Sequence, residues 1–182
     1  MATLDDASRK SLVLKARHAI AKAIDVTPPA PIPHDESPIP GDFRAGAFVT
    51  LRINGRLRGC IGYPEPELPL IEVVERCAVS AAISDPRFPP LTKAEWSDVD
   101  LEVSVLGPIR LVDDIRDVIV GRDGLIVESG RRRGLLLPQV AVEWNWDAVE
   151  FAAQTCVKAG LPRDAWLKGA KLFKFEAEVF SD

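Results

Sequence analysis

Cys60 lies in the run Leu57-Arg58-Gly59-Cys60-Ile61-Gly62-Tyr63, between two glycines. Cysteine attacks electrophiles as the thiolate, a form that a neighbouring cation favours. The sequence offers two cations. Arg58 stands two residues before Cys60, on the same strand face in a regular hairpin, and Arg87 reaches it if the rigid passage Asp85-Pro86-Arg87-Phe88-Pro89-Pro90-Leu91 folds over the hairpin. Asp85 is placed to orient Arg87, and Glu102 or Glu143 to act as general base. Gly59 and Gly62 lack a Cβ, so backbone or ligand can approach them closely. Phe88 and Gln139 complete the candidate binding residues. The competing reading packs Cys60 beside Val49 and Leu51 as a small buried side chain covered by Arg58.

The elements that must position these residues follow from pattern. Asn54-Gly55 between two β-rich runs predicts a two-residue hairpin of Ala47 to Ile53 with Arg56 to Ile61. Regular pairing then sets Ile53 against Arg56, Leu51 against Arg58 and Val49 against Cys60, with Phe48, Thr50, Arg52, Leu57 and Ile61 on the other side. Before it, residues 6 to 24 carry apolar side chains at helical spacing, with Ser8 or Asp6 near the start. A proline-rich stretch at 27 to 41 reads as an extended crossing segment. After it, Leu70 to about Ser84 reads as a helix whose face includes Cys77, Ala78, Ala81 and Ala82. Thr92 with Glu95 forms a capping-box pattern, and Asp100 to Leu106 alternates as a half-buried strand.

Further on, Leu111 to Val120 is ambiguous between helix and strand. Leu125 to Glu128 and Gly134 to Leu137 predict a second hairpin with Arg131, Arg132 and Arg133 at its tip, closed by Pro138. Asp147 with Glu150 opens a helix that stops at Gly160-Leu161-Pro162, and Leu172 to Phe180 reads as a last strand. Hairpins separated by helices, without regular strand-helix alternation, favour the α+β class.

Other chemistry-bearing residues are weaker candidates. Cys77 and Cys156 fall on apolar helix faces and read as core thiols. His18 lies on the first helix and His34 in the proline-rich loop, so neither is an obvious partner for Cys60. His34-Asp35-Glu36 are adjacent ligands in a loop and read as solvated; three scattered cysteines and two histidines lack metal-ligand spacing, so no metal or cofactor is expected. The three arginines at 131 to 133 read as a solvated turn ahead of a phosphate clamp. Trp144, Trp146 and Trp166 read as core or rim packing ahead of a docking surface.

The 182 residues suffice for one domain with a substantial core. A formal net charge of −4 argues against a protein that coats nucleic acid or anionic membrane, so any nucleic-acid contact is local. No apolar run approaches the roughly 20 residues needed to cross a bilayer. Three widely spaced cysteines read as free thiols in a reducing compartment, which places the chain in the cytoplasm.

Six ordered motifs resemble the AMMECR domain family: Leu57 to Gly62, Asp85 to Leu91, Leu101 to Leu106, Gly124 to Val127, Gly134 to Val140 and Lys158 to Pro162. The resemblance runs from about residue 8 to the end and implies a fold more than a reaction. It implies a larger α+β subdomain built from both chain ends, residues 1–106 and 142–182, and a smaller, mostly β insertion at about 107–141. It also implies a functional cysteine motif and a place in a modification pathway beside Memo-type and radical-SAM proteins. The alternative is a non-catalytic protein-binding or scaffold module, with the glycine-rich hairpin and the Asp85 to Leu91 passage forming a groove. The oligomeric state is not set by the sequence.

Overall fold

The computed structural model describes residues 4–28 and 39–182. His34, Asp35, Glu36 and the middle of the proline-rich stretch lie outside the described residues. The fold is α+β, and the chain divides into two compact units.

One unit comprises the chain up to Leu106 together with Glu178–Asp182. Its first helix, α1 (Asp6–Ala23), is capped by Asp5, whose carboxylate accepts from the Ser8 N–H at 2.8 Å. The cap thus falls one residue before the expected start. Strands β1 (Ala47–Ile53) and β2 (Arg56–Tyr63) form the predicted hairpin, turning through Asn54 and Gly55 at φ of 51° and 74°. Helix α2 (Leu70–Ile83) follows, then a 3-10 turn over Lys93–Asp98 and strand β3 (Val99–Leu106). Strand β1 lies in the middle, antiparallel to both β2 and β3, so β2 is an edge strand. The C-terminal residues run beside β3, where the Asp182 N–H donates to the Leu101 carbonyl. Leu12, Ala16 and Ile20 of α1 and Val74, Cys77 and Ala81 of α2 form one core with Val49, Leu51, Leu101 and Val103 of the sheet.

The other unit is Gly107–Ala177. The ambiguous 111 to 120 region resolves into a two-residue strand β4 (Arg110–Leu111) and a 3-10 turn at Ile115–Asp117. The second hairpin is β5 (Asp123–Ser129) with β6 (Arg132–Leu136), and only Gly130 and Arg131 remain at its tip. A short helix α3 (Pro138–Glu143) follows where the proline was expected only to close the hairpin; proline suits the first helical position because its missing N–H is not needed there. Helix α4 (Ala148–Lys158) starts at the expected cap, Asp147, whose carboxylate accepts from the Glu150 N–H. The long strand β7 (Lys171–Ser181) pairs with β5 and β4 over its first half. Phe151, Ala152 and Cys156 of α4 pack on Leu125, Val127 and Leu172 to make a second core.

This corrects the expected boundary near residue 141. Residues 142 to 177 cluster with the 107 to 141 region, because α4 covers β5 and β6 and the first half of β7 completes their sheet.

Candidate functional site

The hairpin departs from regular pairing at one residue. Ile53 faces Arg56 and Arg52 faces Leu57, but Leu51 faces Gly59, so Arg58 is the extra residue of a β-bulge. Beyond the bulge the register is Thr50 to Cys60, Val49 to Ile61 and Phe48 to Gly62. Cys60 therefore stands beside Thr50, and Ile61 takes the expected place next to Val49. A one-residue slip exchanges the two faces of a strand, which removes Cys60 from the helix-packed core. Its side chain is partly exposed, and the Thr50 hydroxyl lies 3.4 Å from its Sγ.

As an edge strand, β2 turns backbone groups of Cys60 away from β1. The Asp85 to Leu91 passage supplies their partners. Asp85 accepts from the Cys60 N–H at 2.9 Å, and Arg87 donates to the Cys60 carbonyl at 3.0 Å. The two side chains are themselves joined, Arg87 Nη2 to Asp85 Oδ2 at 2.7 Å and Nε to Oδ1 at 3.0 Å. This Asp-Arg pair thus takes the place of a neighbouring strand at a single residue. Asp85 is buried, with a side chain 1% exposed. Hydrogen bonding to Arg87 holds its carboxyl well below the usual carboxylate range against the opposing effect of burial, aided by the Cys60 and Arg87 backbone N–H groups. Arg87 is held charged above the ordinary arginine value chiefly by Asp85, with a smaller contribution from the Cys60 side chain, which its guanidinium also faces. The same guanidinium lies over the Phe88 ring, 5.5 Å from its centre.

Arg58 has partners of its own. Once set apart by the bulge, its guanidinium is taken by Glu95, Nε to Oε1 at 2.8 Å, and by the Pro90 carbonyl at 3.3 Å. Glu95 simultaneously accepts from the Thr92 N–H at 2.9 Å, so the capping glutamate of the 3-10 turn also locks the bulge. Arg58, with help from Thr92, lowers the Glu95 carboxyl to about 2. The Thr92 and Glu95 spacing was readable in the sequence; its second use, on Arg58, had no local signal.

Glu102 pairs with Thr50 on the other side of β1, so Cys60, Thr50 and Glu102 form one cross-strand row. Adjacent strands are about 4.8 Å apart, which places the Glu102 backbone roughly 10 Å from that of Cys60 with the Thr50 side chain between. The space at the two glycines is filled from within the chain. A Cβ on Gly59 would lie 2.1 Å from the Ala81 carbonyl oxygen, and one on Gly62 would lie 2.2 Å from the Phe48 ring. The glycines admit a helix backbone and an aromatic ring.

Gln139 and Glu143 stand on α3, in the Gly107–Ala177 unit. The expected arginine tip is also corrected: Arg132 and Arg133 belong to β6, where Arg132 donates to the Gly160 carbonyl and Arg133 pairs with Glu128 at 3.0 Å. Trp144 is exposed and stacks on Trp146 with ring centres 6.0 Å apart. Cys77 and Cys156 are fully buried, and burial pushes the Cys77 thiol up to about 12. Among the described residues, no group of three His, Cys, Asp or Glu side chains is arranged to hold a metal, and no helix is long and apolar enough to cross a membrane.

Comparison with known proteins gives a consistent result. The AMMECR1 family model matches residues 13–180. A protein of Methanothermobacter thermautotrophicus is 48% identical, over 95% of this chain and 93% of its own length. One from Methanocaldococcus jannaschii is 49% identical over 76% of this chain and 74% of its own. The crystal structure of an uncharacterized protein from Pyrococcus horikoshii matches with a TM-score of 0.87 and 43% identity, covering 98% of this chain and 93% of that one. With the family match spanning nearly the whole sequence and both units included in the structural likeness, the chain belongs to the AMMECR1 family.

Proposed function

We propose that the partly exposed face of β2 at Cys60 is a thiol site that accepts a group covalently, and that the protein is a component of a modification pathway. The observation that carries this reading is the Asp85 and Arg87 clamp. It fixes Cys60 through both of its outward backbone groups and brings a guanidinium to face its side chain. A merely structural cysteine needs no such cation, whereas a thiolate is favoured by one. In this scheme the Cys60 sulfur forms a bond to the acyl or alkyl carbon of a donor, the donor's bond to its leaving group breaks, and the thiol proton ends on that leaving group, while the Thr50 hydroxyl donates to the sulfur. Asp85 and the Glu95 to Arg58 pair act as positioning groups. Proteins of the Memo and radical-SAM types are the partners to try first, on the strength of the family resemblance.

The filled space at Gly59 and Gly62 weighs against the alternative of a peptide-binding groove. Intact-mass analysis after incubation with thioester and activated alkyl donors tests the reading. A single adduct mapping to Cys60, absent in Cys60→Ser although that variant melts normally, is expected. Adducts distributed over all three cysteines, or retained in Cys60→Ser, contradict it.

A further inference from the structure

The Gly107–Ala177 unit carries a second feature, independent of Cys60. A cavity of about 310 Å³ is lined by Pro108, Arg110, Arg122, Asp123, Lys174, Phe175 and Glu176. Arg110 on β4 is paired directly across from Lys174 on β7, and like charges in directly opposed positions destabilise a sheet. Among the described residues the Arg110 guanidinium has neither an ion-pair nor a hydrogen-bond partner. Strand β4 is only two residues long, so the cost of this juxtaposition is concentrated in an element with little else to hold it.

The other charges are arranged around a buried anchor. Asp123 is 1% exposed; it accepts from the Ile119 N–H at 2.9 Å and from Arg122 at 2.8 and 3.1 Å, and lies 3.7 Å from Lys174 Nζ. Asp123 therefore orients Arg122 and holds Lys174 near it, and it neutralises one positive charge of the group. Lys174 is fixed further by the Asp117 carbonyl at 2.5 Å. Glu176 is half exposed and approaches Arg122 only to 3.6 Å. Three cations against two carboxylates leave one positive charge, with an unpartnered guanidinium facing a cavity in a chain that is acidic overall.

The geometry points to a site for a small phosphate oxyanion, inorganic phosphate or a phosphomonoester, held by Arg110, Lys174 and Arg122. A guanidinium binds a phosphate through two parallel N–H donors, and a bound anion removes the repulsion between Arg110 and Lys174.

NMR titration of the full chain with inorganic phosphate at constant ionic strength tests this, with phenyl phosphate as a second ligand and Arg131→Gln, at the exposed hairpin tip, as control. Saturable shifts of the Arg110, Arg122 and Lys174 amides are expected. Arg110→Gln should weaken binding about tenfold or more, Arg110→Lys less, and Arg131→Gln should leave it unchanged. Tighter binding of phenyl phosphate would assign the site to a phosphomonoester, and equal or weaker binding to phosphate itself. Shifts that fail to saturate, or equal affinity in Arg110→Gln and the unaltered chain, overturn the proposal. Arg110 is exposed on β4, so its substitution leaves both cores intact.

Discussion

At the residue scale, the Asp85 carboxylate is the group on which the Cys60 environment depends. It is buried, ionised and engaged by two backbone N–H groups and a guanidinium. Asp85→Ala leaves the Cys60 N–H without its acceptor, and we expect a loss of about 2 kcal/mol in unfolding free energy, read from denaturant titration. Cys60→Ser, which keeps both backbone hydrogen bonds, should change stability by less than about 1 kcal/mol. Glu95 supplies a pH signature. Its folded value of about 2 lies below the roughly 4.3 of an unfolded glutamate, so the stability it contributes is complete above that unfolded value and is lost as pH falls toward 2. The pair with Arg58 is a third exposed on the glutamate side, which limits the effect to about 1 kcal/mol. Glu95→Gln should flatten the acid limb of a stability-against-pH curve between about pH 4.5 and 2.

At the element scale, the hairpin and its turn were legible because Asn54-Gly55 demands positive φ at both positions, which few other dipeptides tolerate. The bulge was not legible. Both faces of β2 carry mixed side chains, so no hydrophobic alternation reports a one-residue slip, and Arg58 gives no sign that its partner is a glutamate 37 residues away. That single missed residue put Cys60 beside Val49 in the expectation and beside Thr50 in the structure. The Asp85 to Leu91 passage was readable as rigid and as a source of Arg87, but not as a substitute for a neighbouring strand at Cys60. Helix α3 has no clear signal in the sequence, because a proline after a strand marks the end of that strand as readily as the first position of a helix. Gly59 shows how closely α2 and β2 pack: Gly59→Ala drives a methyl into the backbone carbonyl of Ala81, which cannot rotate away. We expect a loss of about 2 kcal/mol or more for Gly59→Ala, with little change for Gly41→Ala, where nothing lies within 4 Å, as measured by thermal unfolding.

At the scale of the whole molecule, each unit has its own core, and each core contains one fully buried cysteine, Cys77 in the first and Cys156 in the second. The family motifs made the class of fold readable, while the extent of the second unit was not, because helix α4 is assigned by what it covers and not by its position in the chain. The first core is the larger, so in rising denaturant Cys156 should become reactive before Cys77, as pulsed alkylation would record. Cys60 is partly exposed in the folded chain. The most direct test of the account is native-state alkylation of all three cysteines, resolved by peptide mass spectrometry, in the unaltered chain and in Arg87→Gln. The account predicts that Cys60 alone reacts in the folded protein and that Arg87→Gln slows it several-fold; reaction of Cys60 only after denaturation, or at the same rate in both proteins, would contradict it.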